Sequence, residues 1–189
     1  TVLIAKIADA LPFPLNVLYP ITAGGKADKK PAGNGYTLWK DMVSEGKGTE
    51  LPPLDGKFDD CGAILYSGGT TGTTKGIVLT NKNFNALGAQ VVSANRMFRP
   101  GDKMLAAMPI FHGFGLGIGI HTVLQNGAMS ILIPQFTKET YAKAVIKNKP
   151  NFIAGVPTLY EALLKVDLFD GKDLSHLIGV FSGGDSLSP

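Results

Sequence analysis

From Asp60 onward, strand-length apolar runs alternate with segments of helical period, and this alternation limits the fold more than any other feature of the chain. The apolar runs are CGAILY, GIVLT, KMLAAMP, AMSILIP, NFIAGV and LIGVFS. Between them, NKNFNALGAQVVSANRMF reads as a helix capped by Thr80 or Asn81, with Phe84, Leu87, Val91 and Met97 facing inward. KETYAKAVIKN reads as another helix, and PTLYEALLKV as a third that starts at Pro157. FHGFGLGIGIHTVLQ is expected to be helical despite its four glycines, each a poor helix former. Strands joined through helices pair in parallel, so the predicted fold is α/β, a mainly parallel sheet flanked by helices. Ligands of such sheets bind beyond the carboxyl ends of the strands, where the pairs Gly68-Gly69 and Gly183-Gly184 fall.

Residues 1–59 lack this regularity. Pro12, Pro14 and Pro20 predict a short strand or helix followed by irregular chain, and residues 22–35 read as loop. Tyr36 to Ser44 places Leu38, Met42 and Val43 on one helical face, and residues 45–59, with Pro52-Pro53, read as a linker. The expected organisation is a loosely organised segment and linker over 1–59 and an α/β portion over 60–189. The first residue is Thr1, and Ser188-Pro189 has the form of a helix start, so the chain is expected to be a piece of a longer protein.

The chain has 189 residues, 44% hydrophobic and 17% charged, which suits a packed core and excludes disorder. A net charge of +3 with scattered Lys and Arg offers no basic stripe for nucleic acid. Cys61 is alone, so no intrachain disulfide forms. With no Asn-x-Ser/Thr site present, this points to a reducing compartment, the cytoplasm. Lys6 and Asp9 interrupt the first apolar run, and His121, Gln125, Asn126 and Gly127 interrupt the longest one, so neither is a membrane span. Peripheral membrane contact stays open. His112, His121 and His176 are not spaced as ligands, and no metal site is expected from this chain alone.

Tyr66 to Gly76 reads YSGGTTGTTKG, with four glycines, four threonines, one lysine and no acid. Backbone freedom at Gly68, Gly69 and Gly72 lets successive amides converge on one anion. Ser67, Thr70, Thr71, Thr73 and Thr74 add hydroxyl donors, and Lys75 adds a mobile positive charge. This set suits a polyphosphate; the plainer alternative is a hairpin turn kept soluble by threonine. The lysine follows Thr74 rather than Gly, so the loop is not of Walker type. GFGLGIG cannot hold G-x-G-x-x-G, and no serine sits in G-x-S-x-G, so dinucleotide and nucleophile-elbow readings fail.

YSGGTTGTTKG resembles the signature Tyr-Thr-Ser-Gly-Thr-Thr-Gly-x-Pro-Lys-Gly of the adenylate-forming enzymes, which include acyl-CoA synthetases, luciferases and peptide-synthetase adenylation domains. Tyr66, Gly69, Thr70, Thr71, Gly72, Lys75 and Gly76 match; Ser67 replaces Thr, Gly68 replaces Ser as in the long-chain fatty acyl branch, and Thr74 replaces Pro. MPIFHGFG at 108–115 resembles the second motif of that family, and FSGGDSL at 181–187 its adenine-binding segment. The resemblance covers 60–189 well and 1–59 loosely, where PFPLNVLYP is similar to fatty acyl ligases.

The resemblance implies a chemistry. A carboxylate attacks the α-phosphate of ATP to give an acyl-adenylate and pyrophosphate, and coenzyme A then takes the acyl group. It implies that Lys75 and Thr70 act on the phosphates and His112 faces the acyl carboxylate. Residues 67–75 would hold the β- and γ-phosphates, and Gly183, Gly184 and Asp185 would border adenine, with Asp185 as a turn cap instead equally open. The family's magnesium ligand, in a Tyr-Gly-x-Thr-Glu segment, its ribose-gripping Asp and its terminal Lys are not among these residues, so Mg2+ is expected to be held outside this chain. The chain alone is expected not to turn over. Residues 111–136 contain no acid, which suits an apolar acyl substrate, a fatty acid, better than an amine-bearing one. An adenylation domain serving a carrier protein, and a non-catalytic nucleotide-binding module, remain alternatives. His121 is expected to be structural and His176 solvated, and Gly115, Gly117 and Gly119 either pack closely on the sheet or leave room for an acyl tail.

Overall fold

A computed structural model describes residues 2–22, 35–68, 73–133 and 136–187. The chain forms two compact units, Thr1–Asp55 and Gly56–Pro189. In the first unit, β1 (Val2–Ile4) pairs in parallel with β2 (Tyr36–Leu38). A 3₁₀ turn, Ile7–Ala10, and the single-turn α1 (Leu15–Leu18) follow β1. The helix expected from Tyr36 starts later: α2 is Trp39–Glu45, because Tyr36, Thr37 and Leu38 are taken up by pairing with Val2, Leu3 and Ile4. Aromatic and β-branched residues favour that extended ladder over a first helical turn.

The second unit begins with β3 (Cys61–Gly68) and β4 (Thr74–Thr80), an antiparallel hairpin separate from the larger sheet. The expectation that Gly68-Gly69 ends a strand of the parallel sheet is therefore corrected: the glycine loop joins the two strands of a hairpin. Residues 57–60 fold back onto the start of α3 (Asn81–Asn95), where the Lys82 amide donates to Phe58 O at 2.8 Å and Asn81 Nδ2 to Lys57 O at 2.9 Å. Thr80 caps α3 reciprocally, its hydroxyl accepting from the Asn83 amide and the Asn83 side chain accepting from the Thr80 amide.

The main sheet is parallel, in the order β6-β5-β7-β8, built from β5 (Lys103–Ala106), β6 (Met129–Leu132), β7 (Phe152–Gly155) and β8 (Gly179–Ser182). The helix after β5 is a π-helix over Gly115–Thr122 that runs on into α4 (Val123–Gln125). Its wide turns are held by hydroxyls: Thr122 Oγ1 donates to Gly117 O at 2.8 Å, and Ser130 Oγ to Gly119 O at 2.7 Å. α5 (Lys138–Asn148) and α6 (Pro157–Leu163) complete the crossovers. Alternation along the strands divides the core. Met104, Phe152 and Ala154 face α3 and the π-helix, burying Phe98, Ile118 and Val123 with them. Leu105 and Ile153 face α5 and α6, burying Tyr141, Val145 and Leu159. Each fully buried large side chain here contributes about 1.5–3 kcal/mol of transfer free energy. Among the described residues no helix is long and apolar enough to cross a membrane.

Candidate functional site

The hairpin presents its loop at one end. Ser67 pairs with Lys75 and Gly68 with Thr74, so the ladder clasps both sides of the turn. Thr73, Thr74 and Lys75 are exposed and Ser67 is half-buried. Gly69, Thr70, Thr71 and Gly72 lie outside the described residues. From Cys61 to Thr80 the hairpin carries one cation, Lys75, and no acid, which suits an anion near its tip.

Two contacts tie the other motif residues to this hairpin. A Cβ on Gly113 would lie 3.4 Å from Leu65 Cδ1, in the middle of β3. A Cβ on Gly183 would lie 2.9 Å from Phe114 Cε2. MPIFHGFG thus touches the hairpin through residue 113 and the Gly183-Gly184 segment through residue 114. His112 is exposed, and its Nδ1 accepts from the Phe114 amide at 3.1 Å. In the neutral ring Nε2 therefore carries the proton and is left as a donor. Sequence reading picked out His112 but missed Phe114, whose signal was its place two residues on in the same motif.

Gly183 leaves β8 beside the end of β7, its amide donating to Gly155 O at 3.2 Å. Gly184 has φ +86°, a conformation that resists any side chain. Asp185 is exposed, and its Oδ1 accepts from the Ser186 amide at 2.7 Å, a local turn contact. Below this segment, Tyr160 Oη donates to Phe181 O at 2.6 Å and fixes α6 to β8. Burial raises the Tyr160 phenol well above its ordinary value, so it stays protonated as a donor.

The remaining histidines are accounted for differently. His121 Nε2 lies 3.0 Å from Asn85 Oδ1, and its ring sits 5.3 Å from Phe84. His176 is not solvated as expected: it is half-buried, and its Nδ1 lies 2.8 Å from Pro150 O, binding the loop before β8 to the start of β7. Among the described residues no group of His, Cys, Asp or Glu is arranged to hold a metal.

The glycines of the π-helix pack closely. A Cβ on Gly115 would strike Pro109 O, one on Gly117 would lie 2.6 Å from Leu87 Cδ2, and one on Gly119 would lie 3.0 Å from the Ala106 Cβ. A cavity of about 430 Å³ opens on another side of this helix, between it, α3 and the first half of β3. Leu116, Ile120 and Leu124 line one wall, with Phe84 and Ala63 opposite. It begins one turn beyond His112.

The model of one protein family, described as AMP-binding enzyme, matches residues 7–189. A long-chain-fatty-acid–CoA ligase of Bacillus subtilis (strain 168) is 34% identical over 192 residues, covering 98% of this chain and 34% of that protein. 4-Coumarate–CoA ligase 1 of Solanum tuberosum is 32% identical over 141 residues, covering 73% of this chain and 26% of its own length. The chain thus spans about a third or less of the curated relatives it matches. The solved N-terminal domain of FACL13 from Mycobacterium tuberculosis superposes with a TM-score of 0.71 at 21% identity, over 89% of this chain and 44% of that one, and so shares the fold. With a family match over nearly its whole length, and with that family's mixed α/β architecture in its fold, the chain belongs to the AMP-binding enzyme family.

Proposed function

We propose that this chain carries the phosphate-gripping hairpin and the adenine edge of an ATP-dependent acid–thiol ligase that activates a fatty acid and passes it to coenzyme A. One observation carries the reading: Leu65 against Gly113 and Phe114 against Gly183 draw the glycine hairpin, His112 and Gly183-Gly184 together. The hairpin amides, threonine hydroxyls and Lys75 bind the β- and γ-phosphates. A carboxylate oxygen of the acid attacks the α-phosphorus, the bond to the β-phosphate oxygen breaks, and pyrophosphate leaves with its charge held by the hairpin. The coenzyme A thiolate then attacks the acyl carbon and expels AMP. Positioning and charge neutralisation do the catalysis, and no protein nucleophile is required. His112, with Nε2–H free to donate, orients the carboxylate. Magnesium has no cluster of ligands among the described residues, and no step is assigned to it.

The fatty acid is supported by the relative that covers 98% of the chain and by the acid-free wall of the apolar cavity beyond His112. The 4-coumarate–CoA ligase relationship favours a second reading, an aromatic acid. Acid-dependent exchange of labelled pyrophosphate into ATP by the complete natural chain tests the activation step, and thioester yield with saturated fatty acids against cinnamic acids separates the two substrates. Exchange that no carboxylic acid stimulates would overturn the function.

A further inference from the structure

We propose that Tyr160 is a positioning residue for the nucleotide, setting through its hydrogen bond to Phe181 O where Gly183-Gly184 stands against adenine. This rests on the reading of that segment as the adenine edge. The segment has little with which to hold itself. Gly183 and Gly184 carry no side chain, and the Asp185 carboxylate accepts from the amide next to it, that of Ser186. β8, which leads into the segment, is an edge of the main sheet and among the described residues pairs only with β7. An edge strand leaves one row of its amides and carbonyls without a ladder.

The corner where β7 turns into α6 supplies the hold instead. Gly155 O accepts from the Gly183 amide at 3.2 Å, the long limit for an amide hydrogen bond. A Cβ on Gly184 would lie 3.4 Å from Val156 Cγ1, an ordinary van der Waals contact. Tyr160, in the first turn of α6, donates to Phe181 O at 2.6 Å. The corner thus meets the segment at residues 181, 183 and 184, and its short contact is the one made by a polar side chain. Leu159, beside Tyr160, is buried with Leu105 and Ile153, so α6 presents the phenol from a packed base.

Raised by burial, the phenol does not ionise near neutral pH, and it serves as a donor throughout that range. Without it, Phe181 O loses a donor and the two glycines are freer to shift from the base. Binding groups act only where they are correctly placed, so even a small shift weakens the contacts with adenine. The glycine hairpin, assigned to the β- and γ-phosphates, keeps its own ladder and is not disturbed. The loss therefore falls on the nucleoside and spares the phosphates and the acid.

The test is acid-dependent exchange of labelled pyrophosphate into ATP by the complete natural chain, with ATP, acid and pyrophosphate varied in turn. Tyr160→Phe is expected to raise the half-saturating ATP concentration about fivefold and to leave those of acid and pyrophosphate nearly unchanged. Loss of folded protein alone would lower the maximal rate and move none of these concentrations. Leu163→Ala, which loosens the packing of α6 and keeps the phenol, is expected to leave the ATP requirement in place. Gly155→Ala, whose Cβ would lie 3.3 Å from Tyr160 Oη, crowds the phenol and is expected to raise the ATP requirement as Tyr160→Phe does. If Tyr160→Phe does not fold, Gly155→Ala decides the matter. An ATP requirement that Tyr160→Phe leaves unchanged, or that Leu163→Ala raises as much, overturns the positioning role alone. A natural enzyme without exchange, or one that uses GTP as readily as ATP, overturns the adenine edge and the role with it.

Discussion

The ring of Phe114 covers Gly183 so closely that a Cβ there would lie 2.9 Å from Cε2, nearer than real Cβ contacts come. Gly183→Ala must therefore push the ring of a core-lining residue, at about 1–3 kcal/mol. Thermal melting of the chain should show the loss, and Phe114→Leu should recover most of it in the double variant. Additive effects would mean that the two residues do not meet.

A half-buried and a buried tyrosine should respond oppositely to loss of their hydroxyls. Tyr160→Phe removes a 2.6 Å hydrogen bond to Phe181 O and should cost about 1 kcal/mol or more. The Tyr141 hydroxyl is buried with no hydrogen-bond partner among the described residues. Tyr141→Phe should thus be neutral or stabilising, by up to about 1–2 kcal/mol. Denaturant titration of the two variants decides between these signs.

Lys149 ends α5 with φ +47°, and Arg96 ends α3 with φ +53°. Side chains resist this left-handed conformation by about 1–2 kcal/mol, part of which glycine returns through its freer unfolded chain. Lys149→Gly and Arg96→Gly should each raise the melting temperature modestly. A fall in either would show that the lost side chain outweighs the strain.

Much of this fold was legible in the sequence because local and tertiary preferences agree. KETYAKAVIKN is α5 residue for residue, and Thr80, one of the two expected caps, is the one that caps α3. Where they disagree, tertiary partners win. Tyr36, Thr37 and Leu38 left the helix to pair with β1, a partner over thirty residues away that no local pattern reveals. The glycine loop was legible as a turn rich in donors, but its strands look alike whether they join a large sheet or stand as a hairpin. The π-helix glycines were read as packing or as room for a tail; Leu87, Ala106 and Pro109 settle them as packing. His176 looked solvated because Asp173, Ser175 and Gly171 surround it in sequence, while Pro150 lies twenty-six residues away.

Asp173 supplies a pH dependence. Hydrogen bonds from the Ser175 side chain and amide, then the charges of Lys149 and His176, hold its carboxyl below the ordinary range. A depressed folded-state pKa gives stability that is present above the unfolded carboxylate value and lost as pH falls through the folded one. Asp173→Asn should therefore lower the melting temperature at neutral pH, with the gap closing below about pH 4. Because Asp173 is exposed, the gap should be small and shrink further in salt.

The grip of the glycine hairpin on the triphosphate tail is tested most directly at Lys75, the one cation from Cys61 to Thr80. ATP dependence of acid-stimulated pyrophosphate exchange should be compared between the complete natural chain and its Lys75→Ala variant. Loss of one charge-assisted contact, about 1.5–3 kcal/mol, should raise the ATP concentration required by roughly ten- to a hundredfold and leave the requirement for acid nearly unchanged. An unchanged ATP requirement would contradict the assignment of this hairpin to the phosphates.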